Sequence, residues 1–162
     1  MNVALAVTRH QLRILKSDPA FLVIMFLMPL AIMPLMREAL GVNLAAVGFE
    51  DADGSELVVP GQMVLFGFFV AGSATFSLFR EHGWRTWDRI RASAASPASL
   101  LAGFALPWIL IHLMYQVVVL AVGSLLFGLR LNSGSIVALG LMLFAFSFCA
   151  VSIVLVAGAI ST

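Results

Sequence analysis

Two groups of residues in this chain are of types that could bind a partner or transfer a proton. The first is the segment from Arg80 to Arg91, which is densely charged and contains two tryptophans. Each charge near the centre of a bilayer costs about 2.5 to 3.5 kcal/mol, so this segment must lie in water or against another protein. The second group is His112, Tyr115 and Gln116, which lie within a long apolar run.

The spacing within the charged segment predicts a short amphipathic helix. Glu81, Arg85 and Arg89 recur at intervals of four residues, so they form a stripe along one side of such a helix. Trp84 and Trp87 fall on another side. A helix with a basic edge and two tryptophans suits the membrane interface or a groove on a partner protein. The alternative is a solvated loop whose tryptophans lie among the lipid headgroups.

The polar residues of the apolar run are candidates for function, because intramembrane polar groups are costly to keep. His112, Tyr115 and Gln116 share one span, but no second spanning segment offers a carboxylate. Neither a Gly-x-Ser-x-Gly nor a His-Glu-x-x-His pattern is present. We therefore expect His112 to be a hydrogen-bonded packing residue, and we expect no enzymatic activity.

Signals for a metal or a cofactor are weak, and we expect neither. Asp51 to Gly54 has the beginning of a calcium loop, but Gln62 stands where the closing glutamate is required. Gly67 to Ser73 has the frame of a phosphate loop but lacks its lysine. Cys149 is the single cysteine, so it has no partner for a disulfide, and we expect it to be buried. We also expect no nucleic-acid partner.

The elements that position these residues follow from composition. The chain has 162 residues, of which 62% are hydrophobic and 10% charged, whereas soluble domains carry about 25% charged residues. This predicts an all-α, polytopic membrane helix bundle with about four transmembrane helices. We expect them at 20–37, 60–79, 99–127 and 135–160, with an external loop at 38–59 and a cytoplasmic region containing a short helix at 80–98.

The N-terminal segment 1–17 has the pattern of an amphipathic interfacial helix. Arg9, Arg13 and Lys16 recur at helical spacing and gather on one face, opposite apolar residues. Such a helix lies along an anionic membrane surface, with lipid as its partner. The alternative is a solvated tail that only carries positive charge. Asp18 with Pro19, and Ser96 with Pro97, are cap-and-proline signals that predict the starts of the helices that follow.

Loop charges predict the orientation. Seven of the nine Lys and Arg residues lie in the N-terminal segment and in the region 80–98, which are on the same side of the predicted spans. The positive-inside rule makes that side cytoplasmic. We therefore expect a multi-pass protein of the cell membrane, the inner membrane where there are two, with its N-terminus inside.

A combination of short motifs resembles a known family. The motifs are Val59 to Gly61 entering a span, Arg80 with Glu81, Trp87 to Ser93, Ser96 with Pro97, and Gly103 at the start of the next span. Together they resemble the membrane subunit, or permease, of an ABC-2 type transporter. The specific part of the resemblance covers Arg80 to Gly103, and the topology covers the whole chain.

The resemblance implies a role for the charged segment. In that family the loop between the second and third spans is a coupling helix that docks on the cytoplasmic ABC ATPase subunit. Polar contacts to the ATPase would then come from four charged residues, and two tryptophans would anchor the helix: Glu81, Arg85, Asp88 and Arg89, with Trp84 and Trp87.

The resemblance also implies the assembly and its activity. Two such subunits, as a homodimer or with a second permease subunit, would export a drug, lipid or other hydrophobic compound with ATP hydrolysed by a separate subunit. The family usually has six spans and this chain about four, so we expect a C-terminally truncated member. The alternative functions are a non-transporting membrane scaffold or accessory protein, or a non-functional fragment.

Overall fold

Five helices make up the computed structural model of the chain, which describes residues 3–49, 53–83, 96–129 and 136–160. They are α1 (Val3–Ser17), α2 (Pro19–Ala46), α3 (Ser55–Gly83), α4 (Pro97–Phe127) and α5 (Ile136–Ile160). No strand occurs within these described ranges. The predicted all-α architecture is confirmed.

Four of the helices are long and apolar enough to cross a membrane. The apolar stretches are Leu22–Ala46, Ser55–Glu81, Pro97–Phe127 and Val137–Gly158. A helix satisfies its backbone hydrogen bonds internally. It can therefore cross the hydrocarbon core of a bilayer, which supplies no hydrogen-bond partners. The predicted multi-pass membrane helix bundle is confirmed.

α2 and α3 are longer than the predicted spans, because polar residues near their ends remain helical. α2 continues past Arg37 to Ala46, although we expected an external loop from residue 38. α3 begins at Ser55, and at its other end it includes Arg80 and Glu81. The expected loop is thus helical at both of its ends. Where the bilayer boundaries fall along these helices stays a prediction.

Local sequence explains where the helices begin. α2 begins at Pro19 and α4 at Pro97, as the cap-and-proline signals predicted. The Ser96 hydroxyl caps α4 by accepting a hydrogen bond from the Ser99 amide at 3.2 Å. α4 ends at Phe127 and is capped by Gly128, whose φ of 66° is left-handed and suits glycine.

The core lies between α3 and α4. Half of the apolar stretch of α3 (50%) is buried against the rest of the protein, compared with 17% for α2. α2 therefore lies at the edge of the bundle and presents most of its surface outward. The largest fully buried apolar side chains of the core are Phe104, Tyr115 and Met33. Cys149 is exposed on α5, so our expectation that it is buried was wrong.

One arginine of α2 contacts α4 and the residues just before α3, at the end of the bundle remote from α1. The Arg37 guanidinium pairs with the Asp53 carboxylate and lies 5.4 Å from the centre of the Phe127 ring. Hydrogen bonds from the Ser55 side chain and amide, and then the pairing with Arg37, lower the pKa of Asp53 to about 2. Gly54 follows with φ +85° and packs so close to α2 that a Cβ would lie 2.8 Å from the Gly41 nitrogen.

A glycine also allows α1 to pack closely on α4. A Cβ on Gly103 would lie 2.6 Å from Val7 Cβ and 2.9 Å from the Ala4 carbonyl oxygen. The Thr8 hydroxyl donates to the Gly103 carbonyl oxygen at 3.2 Å. The start of α4 is therefore a docking surface for α1.

We expect Gly103→Ala to destabilise the protein, because the added methyl group overlaps α1. Overpacking of this kind costs about 1 to 3 kcal/mol. Gly140→Ala is the matched control, since the added Cβ would meet no other helix or side chain of the described protein within 4 Å. Thermal unfolding in detergent should show a lower midpoint for Gly103→Ala and an unchanged or higher one for Gly140→Ala. Equal midpoints for the two variants would contradict the close packing.

Candidate functional site

The end of α3 carries a buried carboxylate. Glu81 is 1% exposed although it lies two residues before the end of the helix. Gln11 of α1 donates a hydrogen bond from Nε2 to Glu81 Oε1 at 3.2 Å, and His10 Nε2 lies 3.3 Å from the same oxygen. α1 therefore covers the point at which the charged segment begins. We call the end of the bundle where α1, the end of α3 and the start of α4 meet the N-terminal face.

The amphipathic character of α1 explains this contact. Thr8 and Gln11 are three residues apart, share one side of the helix, and are both buried. The basic residues of α1 are exposed; they are Arg9, Arg13 and Lys16. Their contact with a lipid surface stays a prediction.

A carboxylate removed from water requires donors close to it, because desolvation penalises its charge. Gln11 supplies a neutral donor that is itself buried. His10 is 49% exposed and adds a positive charge beside Glu81 only when its ring is protonated. The Glu81 contact is thus a polar attachment between α1 and α3, and it joins two residues that are 70 positions apart in sequence.

The other residues predicted to contact an ATPase lie outside the described part of the chain. They are Trp84, Arg85, Trp87, Asp88 and Arg89. Their role stays a prediction, and so does any contact between Glu81 and an ATPase. Sequence analysis missed the contact of Glu81 with α1. The signal for it was the spacing of Thr8 and Gln11, which places polar groups on the side of α1 away from Arg9 and Arg13.

A second polar cluster joins α4 and α5 through His112, Gln116 and Ser147. His112 Nδ1 lies 2.9 Å from the Ser147 hydroxyl and 3.0 Å from Gln116 Nε2. Gln116 Nε2 also donates to the Ser147 hydroxyl at 2.6 Å, and Ser147 donates to the Leu143 carbonyl oxygen at 2.9 Å. All three side chains are buried.

The cluster lies near the middle of the helices, and α3 is shaped to admit it. A Cβ on Gly67 would lie 2.9 Å from His112 Nε2, so the ring packs directly on the backbone of α3. The Tyr115 hydroxyl donates to the Gln62 carbonyl oxygen of α3 at 2.8 Å. Polar contacts therefore connect α4 with the helices on both sides of it.

The composition of this cluster suits helix packing. It contains an imidazole, an amide and a hydroxyl, which hydrogen-bond to one another through His112 Nδ1. Gln116 and Ser147 also bond the Leu143 carbonyl oxygen. No cluster of three His, Cys, Asp or Glu residues that could hold a metal occurs in the part of the chain described. The expected packing role of His112 agrees with these contacts.

Further hydrogen bonds join the same helices towards the N-terminal face. Trp108 of α4 donates its indole N–H to the Ser77 hydroxyl of α3 at 3.2 Å. Thr75 of α3 donates to the Val154 carbonyl oxygen of α5 at 2.7 Å. Gly158 leaves room for Thr75, because a Cβ there would lie 2.7 Å from Thr75 Cγ2. α3 is thus attached to both α4 and α5.

We expect Ser147→Ala to destabilise the bundle by about 1 to 2 kcal/mol, because it leaves Gln116 and His112 short of a buried partner. Ser124→Ala is the matched control, since the Ser124 hydroxyl bonds the Leu120 carbonyl oxygen of its own helix. Unfolding in detergent by a denaturing surfactant measures both changes. If Ser147→Ala lowered the free energy of unfolding no more than Ser124→Ala, the role of the cluster in joining α4 and α5 would be contradicted.

Comparison with known proteins identifies the family to which the chain belongs. A model of the ABC-2 type transporter family matches residues 2–162. The same comparisons found no match among curated proteins and none among solved structures. The matched range includes all five helices, the Glu81 contact and the cluster around His112. Since the match covers nearly the whole chain, this protein belongs to the ABC-2 type transporter family, whose members are membrane permeases of ABC transporters.

Proposed function

We propose that this chain is the permease subunit of an ATP-driven exporter, in which a separate ABC ATPase subunit supplies the energy. The observation that carries the proposal is the burial of Glu81 under α1, within a chain that matches the ABC-2 family over residues 2–162. It attaches the beginning of the charged segment to the interfacial helix. An ATPase docked on residues 84–95 would thus act on two elements of the bundle.

The contacts of α1 suggest the route by which a displacement spreads. A push on the charged segment would first act on the end of α3, which contains Arg80 and Glu81. The hydrogen bond from Gln11 would transmit it to α1, and the packing of Val7 on Gly103 would transmit it to α4. Two packed helices and the interfacial helix would then shift together between inward and outward states.

The charge distribution supports a cytoplasmic location for the N-terminal face. The exposed basic residues of α1 and Arg80 at the end of α3 lie at this face. Arg37 lies at the opposite end of the bundle. By the positive-inside rule, α1 would lie on the cytoplasmic surface of the cell membrane, where an ATPase is available. A second permease subunit, identical or related, would complete the path.

The composition of the spans favours a hydrophobic cargo, such as a drug or a lipid. The spans carry mainly apolar and small residues, with one histidine. The buried polar groups at mid-depth already bond one another. In this proposal the chain itself catalyses nothing, and ATP hydrolysis occurs on the partner. Unchanged export of apolar compounds after deletion of the protein would contradict this choice of cargo.

The test is purification of the tagged chain from its native membrane, with identification of the proteins that accompany it. We expect an ABC ATPase to co-purify. A variant with Arg85→Glu, Trp87→Ala and Arg89→Glu should lose at least nine-tenths of that ATPase, because it reverses two charges and removes one aromatic anchor of the expected docking surface.

The matched control is Arg9→Glu with Arg13→Glu. It reverses two exposed charges of α1 at the N-terminal face. It should retain the ATPase, since neither residue belongs to the expected coupling helix. Both variants must insert into the membrane in wild-type amounts. An ATPase that stays bound to the triple variant would contradict the docking surface, and the absence of any ATPase with the wild type would contradict the proposed exporter.

A further inference from the structure

The attachment of α1 to α3 contains a side chain that can change its charge near neutral pH. His10 Nε2 lies 3.3 Å from Glu81 Oε1, and the His10 side chain is 49% exposed whereas that of Glu81 is 1% exposed. A histidine ring gains or loses its charge between about pH 5 and 8. Solvent protons can therefore reach one partner of a contact whose other partner is a buried carboxylate.

The position of His10 on α1 explains its exposure. It stands next to Arg9 in the sequence and one turn before Arg13, at the edge of the exposed basic side of the helix. It also directly precedes Gln11, which is buried. His10 thus lies at the border between the side of α1 whose charges require water and the side that packs on the bundle.

The two charge states of His10 make different contacts with Glu81. A neutral ring can donate a hydrogen bond from Nε2 to the carboxylate. A protonated ring donates the same bond and adds a Coulombic attraction, which is stronger beside a buried partner because the effective dielectric constant there is lower than in water. Gln11 Nε2 donates to the same oxygen at 3.2 Å, and an amide does not ionise. A change of pH therefore alters the contribution of His10 and leaves the bond from Gln11 in place.

The surrounding charges do not titrate in the same range of pH. The other charged side chains described at the N-terminal face are Arg9, Arg13, Lys16, Asp18 and Arg80. Side chains of these types ordinarily keep their charge between about pH 5 and 8. The turns of α4 on which α1 packs, Pro97 to Gly103, contain no charged residue. Glu81 and Arg80 have further interactions within the protein, so His10 adds to an attachment that exists at every pH.

We propose that His10 makes the attachment of α1 to α3 pH-sensitive, because protonation of its ring strengthens the contact with Glu81 and deprotonation weakens it. The sign follows from the charges: the added attraction is present at low pH and is lost as the pH rises. The same contact is the one through which we propose that a displacement reaches α1. An effect of pH on transport therefore rests on the proposed function, whereas the pH-sensitive contact does not.

The test is amide hydrogen exchange of the full chain, purified in detergent without an ATPase, at about pH 5.5 and about pH 8. Protection of residues 3–17 is the intrinsic exchange rate at each pH divided by the measured rate, which removes the direct effect of pH on exchange. We expect about threefold higher protection at the lower pH, the effect of one partly exposed charge pair. Since no ATPase is present, failure of this test and failure of the proposed exporter are distinguishable.

Two variants identify the groups that respond. His10→Gln should give the same protection at both pH values, because its amide can donate a hydrogen bond but does not ionise. Glu81→Gln should also remove the response, because it keeps a hydrogen-bond acceptor and loses the charge. His82→Gln is the matched control: it removes the histidine next to Glu81 in the sequence and should respond like the wild type. Circular dichroism at both pH values confirms that each variant is folded.

Three results would overturn the proposal. The first is equal protection of α1 at the two pH values in the wild type. The second is a pH response that survives His10→Gln or Glu81→Gln. The third is loss of the response in His82→Gln, which would assign it to the other histidine.

Discussion

The structure depends on one constraint, which is that a polar group inside an apolar bundle must find its partner within the protein. Ser147, Gln116 and His112 Nδ1 meet this requirement by bonding one another, and Trp108 meets it through Ser77. Among the described residues His112 Nε2 has no hydrogen-bond partner and packs on Gly67 of α3. The bonds to Ser147 and the bond from Trp108 to Ser77 cross from one helix to another, whereas the His112–Gln116 contact lies within α4. The polar side chains therefore fix how the spans pair, while apolar side chains, which face lipid and protein equally well, fill the space between them.

The same constraint explains why α1 packs against the ends of α3 and α4. Glu81 is the one carboxylate buried within the described ranges, and a donor from α1 satisfies it. The glycine at 103 then brings α1 against α4. α1, for which we propose a position on the membrane surface, is thereby attached to two spanning helices. This attachment connects the family membership to a mechanical proposal, since the charged segment begins directly after Glu81.

Much of the fold was predictable, because apolar length and cap-and-proline signals act locally. The starts at Pro19 and Pro97 and the existence of four spans followed from such signals. Helix pairing was less predictable, since a hydrogen bond such as that from Gln11 to Glu81 joins residues far apart in sequence. The outward position of Cys149 was missed for a related reason: a uniformly apolar helix does not indicate which side faces the core.

The most direct test of the account is amide hydrogen exchange of α1 in the purified complex with its ATPase, with and without ATP. The account predicts that ATP changes exchange across residues 3–17 in the wild type, and that Glu81→Met abolishes this change while the ATPase stays bound. Glu56→Met, at an exposed site near the opposite end of α3, should respond like the wild type. If ATP did not change exchange in α1, or changed it equally in Glu81→Met, transmission of the ATP-driven movement through the Glu81 contact would be contradicted.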